Sequence, residues 1–134
     1  MFRVRLSLMI LFIAVLLLFI ASHAQATGKR VFIDFTGYTC VNCRWMEKHV
    51  FAERRVYEAL RDQFVLVQLY TDGGPNGDAN QQLQIERFRT IALPYYVVLG
   101  PDDALLARQA GISTSPGEFL QFLNHAVQPR TTPA

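Results

Sequence analysis

The chain has 134 residues, enough for one domain, and 51% of them are hydrophobic. Thirteen basic residues against eleven acidic ones give no strong net charge, and no basic stripe interleaved with aromatics marks a nucleic-acid surface. Two cysteines are too few for the disulfide framework of a small stapled domain.

The first 26 residues explain much of the hydrophobicity. Arg3 and Arg5 precede an apolar run from Leu6 to Ala21, and Ala24, Gln25 and Ala26 close it with small residues. This layout predicts a secretory signal peptide over 1–26, with a retained anchor as the alternative. The run is about sixteen residues, short of the roughly 20 a spanning helix usually needs. Either way the remainder leaves the cytoplasm, and without the leader its charge is close to balanced. Lys29, Arg30, Arg54 and Arg55 are then expected on a solvated face.

From residue 29 the elements follow in order. "KRVFIDFT" (29–36) reads as a buried strand interrupted by Asp34. Gly37 breaks it, and Thr39 is the expected cap of a helix running from Val41 to about Phe51. That helix turns Trp45 or Met46, then His49 or Val50, inward. "ERRVYEALRDQ" predicts a second helix to Gln63 through Val56, Ala59 and Leu60, and "FVLVQLY" (64–70) the next strand. The glycines and proline of 71–78 make a loop. Leu83, Ile85 or Glu86, Phe88 and Ile91 then recur at roughly helical spacing. A strand beginning at Pro94 and another over 105–111 form a hairpin. Ser113 or Ser115 caps a last helix whose stripe is Phe119, Leu120, Leu123 and Val127. The tail 129–134 is expected to be frayed. This order predicts an α/β fold with a mixed central sheet and helices on both faces, over 28–128.

Cys40 and Cys43, three positions apart at a strand-to-helix junction, carry the chemistry. A thiolate is the attacking species, and unpaired N–H groups with the positive end of a helix dipole stabilise it. Cys43, one turn further on the same side, reaches back to close a disulfide. A zinc site wants four ligands, and only His49 and His125 remain outside the leader, without ligand spacing. A purely structural disulfide closing so short a loop constrains the unfolded chain little. A redox dithiol is the reading these residues favour. It uses no metal and no organic cofactor.

"VFIDFTGYTCVNCRWMEKHVF" together with "IALPYYVVL" resembles the thioredoxin superfamily. More narrowly, it is similar to the exported C-terminal thioredoxin-like domain of DsbD-type thiol:disulfide interchange proteins. The resemblance spans roughly residues 29–127 and implies a thioredoxin-like fold, here without the usual N-terminal strand and helix. It implies that Asp34 is the buried acid that accepts the Cys43 proton, with Glu47 a second acid beside it. It also implies that Pro94 is a cis-proline presenting the backbone of Leu93 to substrate, and that Tyr38 is the aromatic next to the dithiol. Glu47 reads equally as a surface residue paired with Arg44 or Lys48, and Tyr38 as simple packing. The implied activity is disulfide reduction on partner proteins in the periplasm, fed by a membrane electron donor of DsbD type, with membrane contact only through an uncleaved leader. The alternative is a thioredoxin-like binding module or soft-metal carrier that uses the same cysteine pair. Val41 and Asn42 stand where thioredoxin itself has Gly-Pro, so its potential does not transfer.

Overall fold

A computed structural model describes residues 2–129; the expected frayed tail from 130 onward lies outside them. A four-stranded sheet has the order β2-β1-β3-β4, formed by β1 (Arg30–Thr36), β2 (Phe64–Tyr70), β3 (Tyr95–Leu99) and β4 (Leu105–Ala110). β1 and β2 are parallel, and β3 runs antiparallel to both β1 and β4. The sheet is therefore mixed, and no strand precedes β1 among the described residues.

Period-two alternation divides β1 between two cores. Phe32 faces a cluster with Met46, Val50, Val56, Leu60, Tyr96, Val98, Phe119 and Leu123. Three helical segments supply that layer: α2 (Val41–Met46) with the π-helical turn Glu47–Phe51, α3 (Arg54–Gln63), and α5 (Pro116–Val127). Val31, Ile33 and Phe35 face the opposite way and meet Phe88 of α4 (Gly77–Phe88), Tyr95 and Val97. Both faces of the sheet are covered, as the order of elements predicts.

The leader stretch forms α1 (Phe2–Thr27), of which Ile20 packs against the second cluster. Leu8, Ile10, Leu11, Phe12, Val15, Leu18 and Phe19 of this helix are exposed. Among the described residues no helix is long and apolar enough to cross a membrane.

Three expectations from the sequence are corrected. Thr39 does not cap α2; Cys40 holds the cap position, and its Sγ accepts the Cys43 N–H at 3.2 Å. In α4 the buried face is Asn80, Gln84 and Phe88, whereas Ile85 and Ile91 are exposed. Asn80 Nδ2 donates to the Tyr70 carbonyl and Gln84 Nε2 to the Ala92 carbonyl, each at 2.8 Å. Those bonds satisfy backbone acceptors, so amides occupy places where an apolar stripe was expected. Arg30 is half-buried rather than solvated, and its Nη2 donates to the Val127 carbonyl at the end of α5.

Phe119 is fully buried and touches the rings of Phe32, Phe51, Tyr96 and Phe122. Phe119→Ala is expected to cost about 3–5 kcal/mol. Urea denaturation checks this; a loss below about 1 kcal/mol would mean that this cluster does not hold the helical layer to the sheet.

Candidate active site

The site begins where β1 runs out. Gly37 turns the chain, and its Cβ-less backbone lets the Asp72 carboxylate approach so closely that an added Cβ would lie 2.6 Å from Oδ2. Asp72 Oδ1 accepts the Tyr38 N–H at 2.7 Å, and Oδ2 accepts the Thr39 N–H and hydroxyl at 2.9 and 2.8 Å. Hydrogen bonds from Thr39 and Tyr38 hold this carboxyl below its ordinary pKa range. Thr39 is thus spent on the turn. Cys40 follows with extended backbone, and α2 starts at Val41.

Cys40 and Cys43 form a disulfide with Cα atoms 5.3 Å apart. Cys40 is half-buried and Cys43 is 2% exposed, so the pair has an outer and an inner sulfur. The Cys43 N–H aimed at Cys40 Sγ is the kind of donor that stabilises charge on that sulfur once the bond is reduced.

Behind α2 lies a polar group set into an apolar sheet. Asp34 is 6% exposed, and its pKa is raised from 3.8 to about 6. Burial is the main cause, and the Glu47 charge adds to it, while a hydrogen bond from Gln68 and the Arg44 charge oppose it. Burial and the Asp34 charge likewise push the neighbouring Tyr96 hydroxyl well above its ordinary value. Glu47 lies four residues after Cys43, one turn along the same side of the helix. Its N–H reaches the carbonyls of both Arg44 and Cys43 as the α-helix passes into the π turn. Arg44 Nη2 pairs with Glu47 Oε1 at 2.9 Å and also donates to Thr36 Oγ1 and the Gly37 carbonyl. Glu47 therefore keeps the surface pairing with Arg44 and also joins the acid cluster. Gln68 Nε2 stands 3.2 Å from Asp34 Oδ2 and 3.2 Å from Glu47 Oε1.

The Leu93–Pro94 peptide is cis. Because Tyr95 pairs with Phe35, the two residues before it lie at the end of the sheet from which Gly37 leads to Cys40. Pro94 is buried and Leu93 half-buried. Tyr38 is exposed, stacked on Tyr70 with ring centroids 4.1 Å apart, and Arg44 lies over the Tyr70 ring. Val41 and Ile91 add exposed apolar surface on the segments that flank the dithiol and the cis bond. A cavity of about 250 Å³ opens between α1, β2 and the 73–77 loop, but neither cysteine borders it. Among the described residues no group of three or more His, Cys, Asp or Glu is placed to hold a metal ion. Asp72, Gln68 and Tyr70 have no sequence signal of their own; they reach the site only through strand register and loop closure.

A four-stranded mixed sheet with a disulfide at the mouth of the first sheet-following helix and a cis-proline at the same sheet end defines a thioredoxin-like protein. A family model described as thioredoxin-like matches residues 21–101, and the chain belongs to that family. Over 80 residues it is 35% identical to the thiol:disulfide interchange protein DsbD of Pseudomonas fluorescens, a stretch covering 59% of this chain and 13% of that protein. Over 43 residues it is 46% identical to DsbD of Salmonella typhimurium, covering 32% of this chain and 8% of that protein. The chain thus matches only a small part of these longer relatives. Among solved structures it superposes on a thioredoxin from Thermus thermophilus with a TM-score of 0.65 at 29% identity, over 78% of each chain. The oxidised C-terminal domain of DsbD from Neisseria meningitidis shares the fold, with a TM-score of 0.63 at 15% identity, over 84% of this chain and 94% of that one.

The raised Asp34 pKa links stability to pH. Between about pH 4 and pH 6 the folded chain keeps a proton on Asp34 that the unfolded chain releases, so the contribution of Asp34 to stability is greatest below about pH 4 and is lost as pH rises through 6. Asp34→Asn removes that penalty. It is expected to stabilise the fold by about 3 kcal/mol at pH 7, with the gain vanishing below about pH 4. Urea denaturation at the two pH values checks this, and an equal effect at both would contradict the buried-acid assignment.

Proposed function

We propose that the protein is an exported thiol–disulfide oxidoreductase that passes reducing equivalents to disulfides of partner proteins. The observation that carries this reading is the Cys40–Cys43 disulfide, with one cysteine half-buried and the other sheltered, and with Glu47 one helical turn beyond Cys43 and joined through Gln68 to the buried Asp34. In the reduced protein the Cys40 thiolate attacks one sulfur of the partner disulfide, and the partner's other sulfur leaves as a thiolate that takes a proton from water. A mixed disulfide now joins Cys40 to the partner. The Cys43 thiol gives its proton to the Asp34 carboxylate, and the resulting thiolate attacks Cys40 Sγ. The mixed disulfide breaks, the partner's second sulfur leaves as a thiolate that takes a proton from water, and Cys40–Cys43 is left as a disulfide. Two electrons have moved to the partner, and no metal or organic cofactor takes part.

Two carboxylates near the dithiol disfavour a thiolate and so temper the effect of the helix mouth. This supports the reducing direction over the oxidising one, since a strong oxidant needs a heavily stabilised thiolate. The similarity to segments of DsbD supports the same direction, with a membrane protein of DsbD type as electron donor. The leader-like 1–26 stretch supports a periplasmic site of action, either free after cleavage or tethered by α1. Tyr38, Leu93 and Pro94 are the proposed substrate-binding residues: Tyr38 and Leu93 offer exposed and half-buried surface at the dithiol end of the sheet, and the buried Pro94 sets the cis bond that presents Leu93.

Insulin reduction by the purified protein tests the proposal. Cys40→Ser is expected to abolish turnover, and Cys43→Ser to accumulate a mixed disulfide visible on a non-reducing gel. Turnover by Cys40→Ser equal to that of the parent would discard the oxidoreductase reading.

A further inference from the structure

Between the two carboxylates stands a residue that the exchange mechanism leaves without a part. Gln68 lies on the edge strand β2 and pairs in register with Asp34 of β1, so their side chains share the sheet face that carries the dithiol helix. Its Nε2 is 3.2 Å from Asp34 Oδ2 and 3.2 Å from Glu47 Oε1. A primary amide nitrogen carries two hydrogens, so it holds both bonds at once. Tyr70 Oη donates to Gln68 Oε1 at 3.4 Å. Ionised carboxylates accept only, and the tyrosine hydroxyl supplies a donor, so the three partners together fix which end of the amide faces the acids.

One oxygen is left over. Asp34 Oδ1 is buried and makes no hydrogen bond among the described residues. A buried acceptor without a partner is costly, so its presence in an otherwise satisfied sheet calls for an explanation.

We propose that Gln68 is a positioning residue for the dithiol exchange: its amide binds Asp34 and Glu47 into one hydrogen-bonded unit and engages Asp34 Oδ2, leaving Oδ1 as the acceptor for the Cys43 proton. This rests on the exchange reading given above. In the release step the proton leaves Cys43 Sγ for Oδ1, the carboxylate becomes a neutral acid, and the bond from Gln68 to Oδ2 survives the change. Afterwards the proton passes to water.

The choice of a neutral amide has consequences at this position. A cation at 68 would pair with both carboxylates and keep them ionised. An aliphatic side chain would leave two like charges with no donor between them, and Asp34 would stay protonated far longer as pH rises. The amide supplies hydrogen bonds without adding charge, which keeps the buried acid within reach of neutral pH, near 6. The other titratable and charged groups that face Asp34 are Glu47 and Arg44 from the dithiol helix and Tyr96 from β3; Tyr70 acts through the amide.

Titration of the Asp34 carboxyl by ¹³C NMR in the full-length oxidised protein tests the inference. Gln68→Leu is expected to raise the Asp34 midpoint by about one unit, through loss of a hydrogen bond to the charged form. Gln68→Lys is expected to lower it below the parent value. A packing role alone does not move one titration in opposite directions. Gln68 is exposed, so below about pH 4, where Asp34 holds its proton in the folded and unfolded chain alike, both variants are expected to melt like the parent. In reduced protein, the pH midpoint for release of a thiol from a Cys40 mixed disulfide is expected to move the same way as the Asp34 titration in each variant. Asp34 midpoints that coincide in all three proteins would overturn the role given to Gln68. Failure of the exchange reading is told apart from this, because it shows in Cys40→Ser turnover equal to the parent's, while the opposite Asp34 shifts of Gln68→Leu and Gln68→Lys in the oxidised protein remain.

Discussion

The turn from β1 into α2 is the constraint on which the site depends. A buried strand delivers the chain to Gly37 in one fixed direction, and the Asp72 carboxylate then occupies the donors of Tyr38 and Thr39. With those groups satisfied, Cys40 is left as the residue whose side chain caps the following helix. The position of the Cys40 sulfur is therefore set by a carboxylate on the loop after β2, thirty-two residues later in sequence. Parallel pairing of β1 with β2 brings that loop alongside.

The same sheet holds the site's main source of instability. Asp34 lies between Ile33 and Phe35, both almost wholly buried, in a strand that would be more stable with an apolar residue there. Its unpartnered Oδ1 and raised pKa mark a destabilising group that the aromatic cluster around Phe32, Tyr96 and Phe119 offsets. A local conflict of this kind, in an otherwise consistent fold, belongs at a functional position. The π turn at Glu47–Phe51 is a second irregularity at the same place, and its first residue is the second acid.

Most of the architecture was legible because hydrophobic period and turn chemistry agree along the chain. Strand 30–36, strand 64–70 and the helix after Cys40 fall within a residue or two of where the pattern of "VFIDF", "FVLVQLY" and "VNCRWM" puts them. The cysteine pair stood out because two cysteines at that spacing, at that junction, leave few other uses. The α4 face was misread because its burial depends on Asn80 and Gln84 meeting backbone carbonyls, a tertiary fact that no apolar period encodes. Thr39 does not cap because Asp72, the carboxylate that engages its N–H and hydroxyl, is distant in sequence and leaves the cap to Cys40. Gln68 and Tyr70 were invisible for a related reason: an amide and a phenol on an edge strand look like ordinary solvent-facing residues until register sets them beside Asp34.

Thiolate supply at the outer sulfur is the central claim, and alkylation measures it directly. The reduced protein is pulsed with iodoacetamide across a pH series, and the label at each cysteine is quantified by mass spectrometry. Cys40 is expected to be labelled at neutral pH, with a midpoint below the usual thiol value of about 8.5, while Cys43 stays largely unlabelled. Equal labelling of the two cysteines at every pH, or a Cys40 midpoint no lower than that of a free thiol, would contradict it.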